Sequence, residues 1–256
     1  MISVKLNLFS NALSMHNDCR VLIPDGLKNG EQIPVLWLCH GGSGDEHEWL
    51  YYSSIATIPD ERKLAVVIVN ANDSCFTDMA YGLRYASYIG NELPDILFQM
   101  FPHFSSERND NYISGLSNGG YGCLLIGLTY PERFGAIGAF SAGDKADAVF
   151  AESESDRITP RIRMFGQNDI RNTPYSIRFL ARKVSEEGTL KPKIYHACGS
   201  EDPWLNLNLL VKETMESLND PSFAYEYDQI EGLGHEWSFW NEEIRRFLNY
   251  IDRTVR

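Results

Sequence analysis

Two short runs in the first third of the chain are apolar at every position, and they constrain the fold more than any other feature. Val35–Cys39 ends in the loop His40–Gly44, and Ala65–Val69 ends in Asn70–Asp73. A strand with one buried face alternates apolar and polar residues, whereas a strand that is apolar throughout is covered on both faces. Parallel sheets with helices on both sides bury their strands in this way. The two runs therefore predict central strands of a parallel sheet.

Strand-like and helix-like patterns alternate along the whole chain. This alternation predicts an α/β fold with a mostly parallel sheet of about eight strands and helices on both faces. The sequence contains no repeat, no low-complexity tract and no dividing linker, so residues 1–256 are expected to form one domain. The irregular polar segment 143–173 is expected to be a short lid or a surface insertion. The other predicted strands are Ser3–Phe9, Cys19–Ile23, Asn111–Ser114, Ile137–Ser141, Lys193–Cys198 and Tyr225–Ile230, and the predicted helices are Tyr85–Met100, Tyr121–Tyr130, Tyr175–Ser185, Asn206–Leu218 and Phe239–Ile251.

The composition is typical of a soluble globular protein with an acidic surface. Hydrophobic residues make up 43% of the chain, and the formal net charge is −12. Neither nucleic acid nor a membrane is an expected partner, because the former requires a basic face and anionic membranes repel acidic proteins. The alternating start Met1–Phe9 predicts a strand rather than a signal peptide. Five widely spaced cysteines without a C-x-x-C pair indicate buried thiols in a reducing cytoplasm. The sequence is compatible with a homo-oligomer but does not decide the oligomeric state.

The segment Gly115–Gly119 fits the G-x-S-x-G nucleophile elbow, in which a serine sits on a strained turn between a strand and a helix. Small residues are needed on both sides of Ser117, because the turn brings backbone segments close together. The context is suitable, since a strand pattern precedes the motif and a helix pattern follows it. Ser117 is therefore the candidate nucleophile.

A serine nucleophile needs a general base, and the base needs an orienting carboxylate. In α/β hydrolases the acid and then the histidine follow the serine along the chain. His235 lies in a glycine-rich loop after a predicted strand and is the candidate base, whereas His196 lies mid-strand and is expected to be structural. The loop after the preceding strand offers two neighbouring acids, Glu201 and Asp202. Asp202 is favoured because a proline follows it, but spacing alone separates the two weakly.

An oxyanion hole requires two backbone N–H donors. One is expected from Asn118, after the nucleophile, and the other from Gly42 in the loop after the first apolar run, with Gly41 as the alternative. No phosphate-binding glycine motif is present, so a nucleotide cofactor is not expected. His47 and His235 each begin an H-E pattern but lack the second histidine of a zinc motif, so no metal is expected either.

These motifs together resemble the tributyrin-esterase and esterase D-like branch of the α/β hydrolases, to which S-formylglutathione hydrolases are related. The resemblance extends from about residue 34 to 250. It implies the α/β-hydrolase fold and a serine carboxylesterase for short acyl esters, with Ser117, Asp202 and His235 as triad. It also favours Asp202 over Glu201. The segments that carry the resemblance are Gly115–Gly122, Cys198–Asp202, Gly234–Trp237, Phe76–Gly82 and Glu92–Pro94.

Many relatives carry methionine after the nucleophile, where this chain has Asn118. The backbone donor is unaffected by this difference, but a polar amide beside the acyl group is expected to alter substrate preference. Further candidates for the substrate pocket are Gly41, Tyr81, Trp204 and Trp237, although the aromatic residues also fit simple packing.

The sequence thus favours an esterase acting through an acyl-enzyme. An acyltransferase or an S-formylglutathione-type thioesterase would use the same triad, so the motifs do not separate these activities. A third hypothesis is a non-catalytic binding protein on the same scaffold, because a fold alone does not determine function. The intact set of nucleophile, acid, base and hole weighs against that reading.

Overall fold

A computed structural model describes residues 1–148, 159–187 and 190–255. The strands are β1 (Ile2–Ser10), β2 (Met15–Ile23), β3 (Val35–Cys39), β4 (Ala65–Val69), β5 (Asn111–Leu116), β6 (Ala136–Phe140), β7 (Lys193–Gly199) and β8 (Glu226–Ile230). The α-helices are α1 (Glu48–Tyr52), α2 (Ile58–Arg62), α3 (Tyr85–Ser87), α4 (Leu93–Met100), α5 (Asn118–Thr129), α6 (Pro160–Phe165), α7 (Ile177–Glu186), α8 (Leu205–Leu218) and α9 (Trp237–Thr254).

The strands form one sheet in the order β1-β2-β4-β3-β5-β6-β7-β8. β2 pairs antiparallel with both β1 and β4, and the remaining neighbours pair parallel. The prediction of a mostly parallel α/β sheet is therefore confirmed. The chain winds outward from β3 to β4 and then returns to β5 on the other side of β3. Such a reversal leaves a crevice at the carboxyl ends of β3 and β5. Open α/β sheets bind their ligands in this crevice.

The sheet is covered on both faces, as the two apolar runs require. In β3, Val35, Trp37 and Cys39 pack into one hydrophobic cluster, while Leu36 and Leu38 pack into the other. The first cluster includes side chains of α5, α7 and α8, and the second includes side chains of α1, α2 and α9. Helices on both sides therefore hold the central strands rigidly beneath the crevice.

The predicted helices differ from the observed ones mainly at short elements and glycines. The helices α1, α2 and α6 span five or six residues each and were not predicted, because fewer than two turns show no clear periodicity. The predicted helix Tyr85–Met100 is continuous but contains a π-helical turn at Tyr88–Glu92. α5 begins at Asn118 rather than Tyr121, since the glycines between them continue the helix.

The irregular segment 143–173 lies partly outside the described residues, and its described part contains α6. Its role as a lid or insertion, and the single domain over 1–256, stay predictions. Within the described ranges, no helix combines the length and apolarity needed to cross a membrane.

Candidate active site

Ser117 lies at the turn between β5 and α5, in the crevice. Its backbone has φ 55° and ψ −118°, a strained conformation for a residue with a side chain. Its N–H donates to the carbonyl oxygen of Phe140 at 2.9 Å, which ties the turn to the end of β6. A Cβ at Gly119 would lie 2.3 Å from the carbonyl oxygen of His40, so only glycine lets α5 start this close to β3. The strained turn therefore depends on close backbone packing on two sides.

The structure brings Ser117, His235 and Asp202 into one hydrogen-bonded line. His235 Nε2 lies 3.0 Å from Ser117 Oγ, and His235 Nδ1 lies 2.9 Å from Asp202 Oδ2. The neighbouring carboxylate of Glu201 is exposed, whereas the side chain of Asp202 is fully buried. The geometry thus distinguishes Asp202 from Glu201, which the sequence spacing did not. Hydrogen bonds connect Ser117 Oγ to the His235 imidazole and the imidazole to the Asp202 carboxylate, as a serine nucleophile requires.

Hydrogen bonds keep Asp202 ionised despite its burial. Burial alone would raise the pKa of this carboxyl, but bonds from His235, Ser141 and the Trp204 N–H hold the pKa below its ordinary value. The Trp204 N–H lies 2.8 Å from Asp202 Oδ1. A carboxylate in this state orients His235 with Nδ1 protonated and stabilises the imidazolium.

Two further residues support this network and were missed by sequence reasoning. The Trp240 indole packs edge-on against the His235 ring, with centroids 4.9 Å apart, and its Nε1 donates to Ser141 Oγ at 3.1 Å. Ser141 in turn bonds to Asp202. Only the position of Ser141 at the end of the predicted strand Ile137–Ser141 could have pointed to it.

The loop after β3 is fixed by the half-buried side chain of Glu48 and the buried side chain of His40. The N–H of Gly41 donates to Glu48 Oε2 at 3.0 Å, which engages that donor and favours Gly42 of the two glycines for an oxyanion. His40 Nδ1 donates to the Gly41 carbonyl at 2.7 Å, while its Nε2 accepts the N–H of Ala71 at 3.0 Å. Burial lowers the pKa of His40, so the ring is neutral and structural. Gly42 itself is exposed.

The aromatic pocket candidates occupy three different environments. Trp204 directly precedes α8, next to Asp202 in space, and is 46% exposed. Trp237 is partly buried, and its ring packs against Trp49, Tyr52 and Trp240. Tyr81 is 58% exposed. Trp237 and Trp240 thus form an aromatic wall on the His235 side, while the pocket roles stay predictions.

The ring of His196 is buried, and both of its nitrogens have hydrogen-bond partners, as expected for a structural residue. Nδ1 lies 2.9 Å from the Tyr225 hydroxyl, and Nε2 lies 2.9 Å from Asn208 Oδ1. Burial lowers the pKa of His196 to about 4, so the ring is neutral. The five cysteines are buried and free of disulfides.

Among the described residues, one group brings three possible metal ligands within 4.8 Å of one another, Asp45, Glu46 and His47. Lys5 Nζ lies 3.4 Å from Glu46, and an Arg20 nitrogen lies 3.0 Å from His47 Nε2. Cationic side chains of the protein thus already contact two of the three residues, Glu46 and His47.

The Esterase family model, described as "Putative esterase", matches residues 10–251. The chain belongs to this family. An acetyl esterase from Caldicellulosiruptor saccharolyticus is 27% identical to this esterase over 272 residues, covering 99% of both chains. Two Staphylococcus aureus structures each superpose with a TM-score of 0.85 at 28% identity and cover all of this chain. They are the fluorophosphonate-binding serine hydrolase FphF, 98% of which is covered, and the S-formylglutathione hydrolase FrmB, 99% of which is covered.

These similarities confirm the α/β-hydrolase fold and the predicted branch of serine esterases. They also make ester hydrolysis of small-molecule substrates the activity of this chain.

Proposed function

We propose that this esterase cleaves short-chain acyl esters with Ser117 as nucleophile, His235 as general base and Asp202 as orienting acid. The observation that carries the proposal is the unbroken hydrogen-bond line from Ser117 Oγ through His235 to Asp202. The line lies at a strained elbow in the sheet crevice, next to a glycine loop that can accept an oxyanion.

Acylation begins when His235 Nε2 takes the proton of Ser117 as Oγ attacks the ester carbonyl carbon. The carbonyl oxygen becomes an oxyanion, which the N–H groups of Gly42 and Asn118 stabilise. His235 then gives its proton to the leaving alcohol oxygen, and the carbon–oxygen bond breaks. Asp202 holds the imidazole in place and stabilises its charged form throughout.

Deacylation repeats these steps with water. His235 removes a proton from a water molecule, which attacks the Ser117 acyl ester, and the proton then returns to Ser117 Oγ as the acid departs. The steps use protein groups and water alone.

The buried free thiols also fit the reducing cytoplasm proposed for this protein.

The relatives support an acetyl or similarly short acyl group, since one of them is an acetyl esterase. A thioester is the second candidate substrate, because relatives from Staphylococcus aureus and Paracoccus denitrificans are S-formylglutathione hydrolases. The same triad cleaves either bond, and only the atom that His235 protonates differs.

The test is hydrolysis of p-nitrophenyl acetate, butyrate and octanoate by the wild type, Ser117→Ala and a control, Ser217→Ala. Ser217 is exposed on α8. We expect Ser117→Ala to remain folded and lose at least ~10³-fold in kcat/KM, since removing a triad member leaves only binding and oxyanion stabilisation. The control should match the wild type, and turnover should fall with acyl length.

Retention of most activity in Ser117→Ala would refute the assignment of the nucleophile. Turnover that rises with acyl length would refute the short-chain proposal but keep the triad. Labelling of the wild type, but not of Ser117→Ala, by a fluorophosphonate probe provides an independent readout of the same serine.

A further inference from the structure

The side chain after the nucleophile is held by a lysine. Lys145 Nζ donates to Asn118 Oδ1 at 2.7 Å. The other end of the same amide stands over the oxyanion loop, because a Cβ built on Gly42 would lie 2.8 Å from Asn118 Nδ2. Lys145 follows β6, whose last carbonyl, that of Phe140, accepts the Ser117 N–H. An ammonium group is therefore fixed one side chain away from the reacting centre.

This ammonium is partly buried, and in residues 1–148, 159–187 and 190–255 it forms no ion pair. Desolvation lowers the pKa of Lys145, while the nearby Cys75 and Asp73 oppose that shift. Burial raises the pKa of Cys75 to about 11, so this thiol is neutral at pH 7. Asp73 is the anion nearby, beyond ion-pair distance. The Lys145 Nζ also lies 5.9 Å from the centre of the Tyr121 ring.

A desolvated cation that pairs with no anion among the described residues favours a negatively charged group that completes its coordination. Lys145 contacts Asn118 beside the candidate nucleophile, so a bound substrate is in reach to supply such a group. The leaving oxygen must face His235, which protonates it. The Asn118 amide lies on the oxyanion side instead, with Nδ2 over Gly42 and Oδ1 bound to Lys145. The pair is therefore placed to meet the acyl portion rather than the leaving alcohol.

We propose that Lys145 binds a carboxylate on the acyl portion of the substrate, so that monoesters of short dicarboxylic acids are favoured over neutral acyl esters of equal length. This inference rests on the proposed function, since it assumes acyl transfer at Ser117. Asn118 is the positioning residue, because its amide holds the ammonium beside the oxyanion loop.

The test compares p-nitrophenyl hemisuccinate with p-nitrophenyl butyrate, which share four acyl carbons and differ in a terminal carboxylate or methyl group. The measured quantity is kcat/KM for the hemisuccinate divided by kcat/KM for the butyrate. The ratio is used because loss of the Lys145 contact also disturbs Asn118, which is expected to lower the turnover of both esters. A second pair, 4-acetoxybenzoate and 4-acetoxybenzamide, carries the charge difference on the leaving group instead.

We expect Lys145→Met to lower the hemisuccinate-to-butyrate ratio at least ~10-fold, in line with the loss of one hydrogen bond between charged groups. Asn118→Asp should lower it similarly, because the new carboxylate neutralises Lys145 in place. Lys145→Arg should retain most of the preference. Lys28→Met removes an equal charge from an exposed loop and should leave the ratio unchanged.

An unchanged ratio in folded Lys145→Met, or a change confined to the leaving-group pair, would overturn the inference. The proposed function fails separately, if the wild type shows no Ser117-dependent turnover of the butyrate ester.

Discussion

A buried carboxyl far from the triad gives the sharpest prediction for stability. Glu243 on α9 is 1% exposed, and its Oε2 lies 2.6 Å from the Tyr195 hydroxyl, which is also 2.8 Å from Asp228 Oδ2. One hydroxyl proton cannot serve two carboxylates, so the arrangement needs a second proton. Burial raises the pKa of Glu243 to about 7, although Tyr195 and Arg246 oppose the shift. When Glu243 is protonated, its own O–H supplies this proton, and the Tyr195 hydroxyl is then free to donate to Asp228.

The direction of the pH effect follows from linkage. A pKa that rises from 4.5 in the unfolded chain to about 7 in the folded protein means that the folded state binds more protons between these values. The resulting stability is complete below pH 4.5 and is lost as the pH rises through 7. At about 1.4 kcal/mol per pKa unit, the loss between pH 5 and pH 8 amounts to roughly 2 to 3 kcal/mol.

Glu243→Gln cannot titrate and keeps the shape of the side chain. We therefore expect its free energy of unfolding, relative to the wild type, to increase by about 2 to 3 kcal/mol between pH 5 and pH 8. Urea denaturation of both proteins at the two pH values measures this change, and Glu242→Gln on the exposed side of α9 is the matched control. An equal difference at both pH values would refute the reasoning.

Three further predictions concern the active site. Asp202→Asn should lower kcat for p-nitrophenyl acetate by about 10²- to 10⁴-fold with little change in KM, because His235 loses its orienting charge, as steady-state kinetics would show. Glu48→Ala should lower kcat about 5- to 30-fold by releasing Gly41, whereas Glu48→Gln, which still accepts the N–H, should retain most of it. Gly119→Ala should yield little folded protein by circular dichroism, because its Cβ has no room against β3.

The matched control for Asp202→Asn is Glu201→Gln, which alters the exposed neighbouring acid. Equal losses in the two variants would contradict the assignment of the acid. Equal kcat values for Glu48→Ala and the wild type would show that the loop holds its shape without this carboxylate. Soluble, cooperatively unfolding Gly119→Ala would show that α5 can move away from β3.

Much of the fold could be predicted, because burial on both faces is visible in the sequence. A strand such as β3 has apolar residues at every position whatever its partners are, so a short window suffices. Ser117 and His235 were proposed as nucleophile and base for a related reason, since both lie in glycine-rich turns that few other structures require. Short helices such as α1 and α2 could not be predicted, because their positions depend on packing against α9 and the sheet.

The rest of the site depends on contacts between distant parts of the chain. Glu201 and Asp202 follow the same strand, and only the fold decides which side chain turns toward the base. Ser141 and Trp240 meet across almost a hundred residues, and Lys145 reaches Asn118 from another loop. No local sequence pattern encodes such pairings, so they become visible only in the folded structure.

The end of β6 contacts several parts of the active site. The carbonyl of its last residue, Phe140, accepts the N–H of Ser117. The next residue, Ser141, bonds to Asp202, and Lys145 follows four positions later. The first two contacts tie catalysis to the rigid sheet, whereas the third comes from the connection that follows. With the acyl-binding role proposed for Lys145, substitution at this one position changes the preferred acyl group while the contacts of Phe140 and Ser141 stay in place. The choice of substrate is thereby separated from the geometry of the catalytic residues.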